Sequence, residues 1–472
     1  MVAHLNRRTI FLIVAFAFIS ISLLSLQTGL RKHVINHIHA PGRPTLVAEP
    51  PVPVPPRQPV YKPTPTPEPP IVDNFPLAAS ARSATDIPPI PSWNMSPAPH
   101  VRERTPLLIG FTRNWRLLQQ TIVSYITAGW PPSDIYVVEN TGTMTSNARG
   151  LLTLQNPFYL DYVRLTDIFG VNVMSTPTLL SFSQLQNFYI HTAIERGWDY
   201  YFWGHMDVVA LSEEDWASPD GGYRSLYTRC VDDLRQTLVS FPAHPHSPDT
   251  KSTNNDDKNQ STWAIRFYAY DRLALVNRHA FEAVGGWDPQ IGYYGTDCDM
   301  HERLAMSGFA IGDAATGLLY DIGDSLDDLS VLYRRKPKSE TGTITWTGDS
   351  NAAHRPNAAA VHEPTDDEQD SRGSAAYIHL RDQLNSMQIG KNTGINQRNR
   401  WQSRQRGGQG EPYYRDAEGF DRALGMAIEA GKTVMREKWG HDGCDLRGVG
   451  LGPGDAWRVV PEWELEREEE ER

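Results

Sequence analysis

The stretch Trp198–Leu211, Trp-Asp-Tyr-Tyr-Phe-Trp-Gly-His-Met-Asp-Val-Val-Ala-Leu, constrains the fold most. Tyr200 to Trp203 are four consecutive aromatic residues of high strand propensity. The run reads as a buried strand that stops at a small polar corner and resumes. Gly204 breaks it, His205 and Asp207 follow, and Val208 to Leu211 are apolar again. A carboxylate at the end of a buried strand is poorly solvated and needs a cation or a hydrogen-bonded partner. At the carboxyl edge of an α/β sheet it points into the crevice where such sheets bind ligands. Asp207 is therefore the first candidate for a metal ligand. The competing reading is a turn-forming Asp that caps the next element.

The same architecture is foreshadowed upstream. Leu107 to Thr112 is an apolar run of strand length, and Leu117 to Ala128 carries Leu118, Ile122, Tyr125 and Ile126 at helical spacing. Gly129 and Pro131 end that helix, and Asp134 to Val138 predicts a second strand. A β-α-β unit makes the two strands parallel. Thr112 and Arg113 follow the first strand, and Glu139 and Asn140 end the second, where an open α/β sheet would hold a nucleotide. Caps and turns are the competing reading, and such residues serve them more often than not. No Gly-x-Gly-x-x-Gly or P-loop sequence is present, so a standard dinucleotide or NTPase site is not supported.

A further chemical stretch runs from Gly285-Gly286-Trp287-Asp288 through Tyr293-Tyr294-Gly295-Thr296-Asp297-Cys298-Asp299. Asp297 and Asp299 open a predicted helix that reaches Met306 and stops at Gly308. A helix N-terminus stabilises carboxylates, so Asp297 reads either as a cap or as a general base beside Trp287 and Tyr293. Asp299 reads as the structural member of the pair. Ser183 to Gly197 and Asp421 to Trp439 also have helical spacing. His354, His362 and His379 are candidate ligands with no assigned partner. The end, Glu464 to Arg472, is a charge run typical of a solvated tail.

Organisation along the chain predicts more than one environment. Thr9 to Leu30 carries no charge and is long enough to span a hydrocarbon core of roughly 30 Å, with a cleaved signal peptide as the rival reading. Residues 1–8 would be a short cytoplasmic tail, 9–30 a signal anchor, and 31–103 a disordered stem. That stem holds much of the chain's 35 Pro, in runs such as Pro63-Thr64-Pro65-Thr66-Pro67 that favour extended polyproline II. Residues 104–333 would form the folded domain, 334–374 a flexible polar insert, and 375–472 a partly helical extension. Asn94-Met95-Ser96 and Asn259-Gln260-Ser261 are glycosylation sequons. A formal net charge of -11 argues against a nucleic-acid binder. Cys230, Cys298 and Cys444 allow at most one bridge and show no zinc spacing.

Taken in order, these segments resemble a GT-A-type, family-2-like glycosyltransferase. The resemblance rests on the β-α-β unit ending in Glu139-Asn140 and on Trp203-Gly204-His205-Met206-Asp207 at the place of an Asp-x-Asp motif. The block Gly285-Gly286-Trp287-Asp288 with Gly295-Thr296-Asp297-Cys298-Asp299 completes it. It implies an α/β fold with a Rossmann-like, mostly parallel central sheet. It implies a metal-dependent, hexosyltransferase-like enzyme that moves a sugar from a nucleotide-diphosphate donor to a hydroxyl of a glycan, glycoprotein or glycolipid. Asp297 would be the base of an inverting reaction. Asp207 would hold a divalent cation, Mn2+ or Mg2+. Thr112, Arg113, Glu139, Asn140, His205 and Asp207 would contact the nucleotide sugar, and Trp287, Asp288, Tyr293 and Asp299 the acceptor or donor sugar. His205 stands where the first Asp of that motif would, and Thr296 where an acidic residue would precede Asp297. The anchor and stem match the plan of single-pass type II Golgi enzymes with a lumenal catalytic domain. The rivals are an inactive carbohydrate-binding or scaffold protein on the same fold, a retaining transferase, and a hydrolase using Asp207 and Asp297.

Overall fold

Branched and aromatic runs form strands close to where their pattern predicts them. The computed structural model describes residues 58–63, 69–143, 145–219, 221–240, 262–334, 371–393, 407–412 and 416–471. The chain divides into two units, Met1–Thr66 and Pro67–Arg472. Of the first, residues 58–63 are exposed and neither helical nor in a strand. The apolar segment 9–30, Asn259, His354 and His362 lie outside the described residues. Among the described residues no helix is long and apolar enough to cross a membrane.

The second unit contains α1 (Pro76–Ser80), β1 (Leu107–Phe111), α2 (Trp115–Thr127), β2 (Ile135–Glu139), β3 (Asn172–Ser175) and α3 (Phe182–Glu195). These are followed by β4 (Tyr200–Gly204), β5 (Val208–Leu211), α4 (Leu226–Ser240), β6 (Trp263–Tyr268), β7 (Leu273–Asn277) and α5 (Arg278–Ala283). The chain closes with α6 (Thr296–Met306), β8 (Ala310–Asp313), β9 (Leu318–Asp321), α7 (Ala375–Asn392), α8 (Ala417–Trp439) and α9 (Glu462–Glu470).

Seven strands form one sheet in the order β3-β2-β1-β4-β7-β6-β8. β3, β2, β1 and β4 are parallel; β7 opposes both its neighbours; β8 is parallel to β6. The sheet is thus mostly parallel, as the β-α-β reading requires. Side chains alternate across it. Leu107, Ile109 and Phe111 enter a core with α2 residues Leu118, Ile122 and Tyr125. Leu108 enters the opposite core with α3 residues Leu185, Tyr189 and Ile190. With apolar layers on both faces, the strands need no polar face, which explains the unbroken aromatic run of β4.

The two helices lie on opposite faces, and β1 sits between β2 and β4. The strand order therefore reverses at β1, which places a crevice at the carboxyl ends of β1 and β4. Beyond β4 the chain turns out of the main sheet through His205, Met206 and Asp207. The Thr121 hydroxyl holds this corner by donating to the Met206 carbonyl at 2.7 Å. β5 then pairs antiparallel with β9, with Val208 opposite Asp321. The Ile322 N–H donates to the Asp207 carbonyl at 2.9 Å.

Two expectations change. The stem reading for 31–103 fails from residue 69 onward among described residues: Asn74, Phe75 and Asn94 are each 0% exposed. Composition alone misses this, because a few anchoring side chains dock an otherwise extended segment. Asn94 is no glycan site here, since its amide donates to the Thr127 carbonyl and accepts from the Tyr223 hydroxyl. Second, the folded unit continues past 333. α7 buries Tyr377, Leu380, Leu384, Met387 and Lys391, a stripe at alternating three- and four-residue steps. Of the three cysteines, Cys298 on α6 is bridged to Cys444, 146 residues later, while Cys230 is buried and free. That bridge sits beside a small core of Ile291, Met435, Trp439 and Leu446.

Candidate functional site

The partners of the sequence-selected residues divide them sharply. Thr112 and Arg113 directly follow β1. Arg113 is buried, with its guanidinium over the Phe420 ring at 4.4 Å from the centroid. Burial pushes its pKa down to about 10, against the charges of Asp421 and Tyr293. Tyr293, half-buried, therefore lies in the field of this cation.

Glu139 ends β2 and is 2% exposed. Its carboxylate accepts from Thr141 (3.0 Å), Asn147 (2.7 Å) and Ser175 (3.1 Å), and also from the Tyr162 hydroxyl. Asn140 accepts from the Leu180 N–H (2.7 Å) and the Thr176 hydroxyl, and donates to the Leu180 carbonyl (2.9 Å). Both side chains expected at the nucleoside are thus taken up by the protein itself. They fix the loops after β2 and β3.

The corner after β4 is different. His205 is stacked on Phe182, lies edge-on to Trp203, and approaches Asp271 at 3.5 Å. Burial lowers its pKa, but Asp271, Asp207 and Asp321 outweigh this and hold it above the ordinary histidine value of 6.5. Asp207 meets the Lys391 ammonium at 2.7 Å, and the same ammonium meets Asp321 at 2.5 Å. Burial would raise the pKa of Asp207; Lys391 and His205 overcome that and hold it below 3.8. For Lys391, the desolvation that would lower its pKa is outweighed by Asp207 and Asp321, so it stays above 10.5.

The sequence reading expects a divalent cation at Asp207. The donor set does not fit one: the carboxylate that would ligate it is bonded to a buried ammonium. Among the described residues, no group of three or more His, Cys, Asp or Glu side chains is arranged to hold a metal.

On the far side of the corner, the cap of α6 falls on Gly295, in the left-handed region at φ 86°, so Asp297 is not the capping residue. Asp297 is half-buried and accepts a hydrogen bond from the Tyr270 hydroxyl at 3.0 Å. Tyr270 and Asp271 are neighbours in the β6–β7 turn. That turn therefore joins the His205 corner to the start of α6. His301 lies one turn after Asp297 on α6, and burial holds its pKa below 6.5 despite Asp297.

Other expected sugar contacts are structural. Trp287 is 2% exposed and packs against Phe182 and Phe281, so its ring is core and offers no open stacking face. Asp288 pairs with Lys438 at 2.7 Å. Asp299 is 0% exposed and binds Arg303, Lys438 and the Trp439 indole N–H. His379 is exposed on α7, off the buried stripe.

Lys391 escapes a reading built on motifs. Its signal is a lysine at the next step of an apolar helix stripe, after Leu384 and Met387. Burying an ammonium there requires anions opposite it. Asp271 and Tyr270 were likewise invisible, lying in a turn with no motif.

No protein-family model matches the chain, and no curated protein matches it. Among solved structures, it is similar to a mannosyltransferase of Pyrobaculum calidifontis in complex with GDP-Man and Mn2+, at 13% identity and a TM-score of 0.27 over 47% of this chain. The catalytic domain of a Drosophila beta1,4galactosyltransferase 7, in complex with xylobiose, is similar at 11% identity and a TM-score of 0.22 over 45% of this chain. A cytidylyltransferase of Leptospira borgpetersenii is similar at 10% identity and a TM-score of 0.28 over 62% of this chain, covering 99% of its own length. The chain spans 58% and 66% of the two glycosyltransferase chains. Likeness at this level assigns no activity.

Proposed function

We propose that the chain is a glycosyltransferase that moves a sugar from a nucleotide-diphosphate donor to an acceptor hydroxyl with inversion. One observation carries this reading. The β6–β7 turn links His205, just past the end of β4, to Asp297, at the start of α6, at the carboxyl edge of a sheet whose strand order reverses at β1. The carboxyl edge at such a reversal is where α/β sheets hold nucleotides. A cation and a carboxylate on that edge supply the two groups the reaction needs.

Asp297 takes the proton from the acceptor hydroxyl as its oxygen attacks the anomeric carbon. The bond from that carbon to the diphosphate oxygen breaks, and the nucleoside diphosphate leaves with the electron pair. The Tyr270 hydroxyl orients Asp297. His205, whose pKa Asp271 raises, faces the developing negative charge and stabilises it in its protonated form. Arg113 and Tyr293 lie toward the donor side.

The Cys298–Cys444 bridge supports an oxidising compartment, consistent with a lumenal domain, and residues 9–30 would supply a type II anchor in a Golgi or other secretory-pathway membrane. A retaining reaction would not use Asp297 as base, and an inactive scaffold would bind no donor.

The test is binding and turnover of a panel of nucleotide sugars by the full-length chain, read by calorimetry and by release of nucleoside diphosphate. Asp297→Asn should keep donor affinity and lose about 10²–10⁴-fold in turnover. Product of retained anomeric configuration would exclude Asp297 as base. If no donor binds the wild type, the transferase reading is lost.

A further inference from the structure

We propose that Lys391 is a built-in cation that takes the position of a divalent metal between Asp207 and Asp321. This deepens the transferase reading, because those carboxylates flank the corner placed at the donor diphosphate.

The geometry is that of a bridging ion. One ammonium touches a carboxylate from the end of β4 and another from the end of β9, at 2.7 and 2.5 Å. A hard cation such as Mn2+ or Ca2+ recruits the same ligands at slightly shorter range. Lys391 is 7% exposed and sits on the buried stripe of α7, so its stem is packed and its head is aimed inward. α7 is already fastened here without that charge, because Gln388 accepts the Asp321 N–H at 3.0 Å. Lys391 therefore does more than dock a helix. It places a positive charge between two acids, and it does so from the chain. A divalent ion on Asp207 would lie against this ammonium, and Coulomb repulsion in a poorly solvated corner opposes that strongly.

The competing account is an ion pair that only stiffens the corner. The two differ in what the corner does once the ammonium is gone. A stiffening pair leaves two acids that repel. A cation site leaves two acids that take up a metal.

Mn2+ is titrated into the full-length chain without donor, and free Mn2+ is followed by electron paramagnetic resonance. The titration is repeated with UDP and with GDP present. The wild type should show no Mn2+ site tighter than about 1 mM beyond the uptake by UDP or GDP alone, measured in matched protein-free titrations. Lys391→Met should gain one Mn2+ per chain at least about tenfold tighter, and Lys391→Met/Asp207→Asn should lose it. A wild-type Mn2+ site that Asp207→Asn removes overturns the proposal. So does a folded Lys391→Met chain that takes up no Mn2+. If Lys391→Met does not fold, Lys391→Gln, which keeps a polar head in the corner, is titrated in its place and is read by the same two outcomes. Failure of the transferase reading would appear separately, as absent donor binding in a chain whose Mn2+ behaviour is as stated.

Discussion

Two carboxylates end neighbouring regions of one sheet, and the protein treats them in opposite ways. Glu139, closing β2, is held by neutral donors: two threonine and serine hydroxyls, an asparagine amide and a tyrosine hydroxyl. Asp207, just past β4, is held by a full positive charge 184 residues away in sequence. Both solutions satisfy a buried anion. They differ in what they leave behind. Neutral donors aimed inward give a rigid, closed corner. An ammonium shared with Asp321, beside a partly exposed His205, gives a charged corner at the carboxyl edge of the sheet. Charge alone does not mark a corner as a site, since buried Asp299 is also met by charge, from Arg303 and Lys438.

Removing the charge should have the larger effect. Lys391→Met strands two acids against each other, and breaking a buried pair from one side costs about 3–5 kcal/mol. Urea unfolding of the variant in metal-free buffer checks this, and a cost under about 1 kcal/mol would place the pair with ordinary surface bridges. Glu139→Gln should cost less, about 1–3 kcal/mol, because one accepting oxygen is replaced by a donor that faces other donors. If the two variants cost the same in parallel unfolding curves, the contrast between the corners disappears.

The pH profile sharpens the comparison further. Asp207 has its pKa lowered below 3.8, so its contribution is present above that value and lost as pH falls through the folded pKa. Lys391 has its pKa raised above 10.5, so its contribution is complete below that value and lost as pH rises through the folded pKa. The pair should therefore hold constant from about pH 4 to 10 and fail at both extremes. His205, raised above 6.5, adds a smaller stabilisation that is full in mild acid and fades as pH rises through its folded pKa. Unfolding free energies of wild type and Lys391→Met, measured across pH 3–11, should converge at the two ends. Parallel curves throughout would contradict the assignment.

Much of the frame was legible. β1, α2, β2, α3, β4, β5 and α6 all lie within a few residues of where periodicity, glycine stops and aromatic runs put them. Those signals are local: strand and helix periods are written in adjacent residues, and Gly204 and Gly308 interrupt them in place. The positions of Asp207 and Asp297 at element ends could be read for the same reason. Their roles could not, because a carboxylate at a strand end looks the same whether its partner is a metal, a neutral donor or a lysine.

Only the tertiary structure decided the partners. Lys391 reaches Asp207 because α7 packs on β9. Lys438 on α8 claims Asp288 and Asp299, and the Cys298–Cys444 bridge chooses one pairing among three cysteines. Residues 69–103 were misread for the same reason: proline composition is local, but the burial of Phe75 and Asn94 depends on surfaces supplied by distant parts of the chain. Local sequence determines which conformations each segment prefers. Which charges meet is determined by packing, since the desolvation that makes a partner obligatory exists only after the chain has folded.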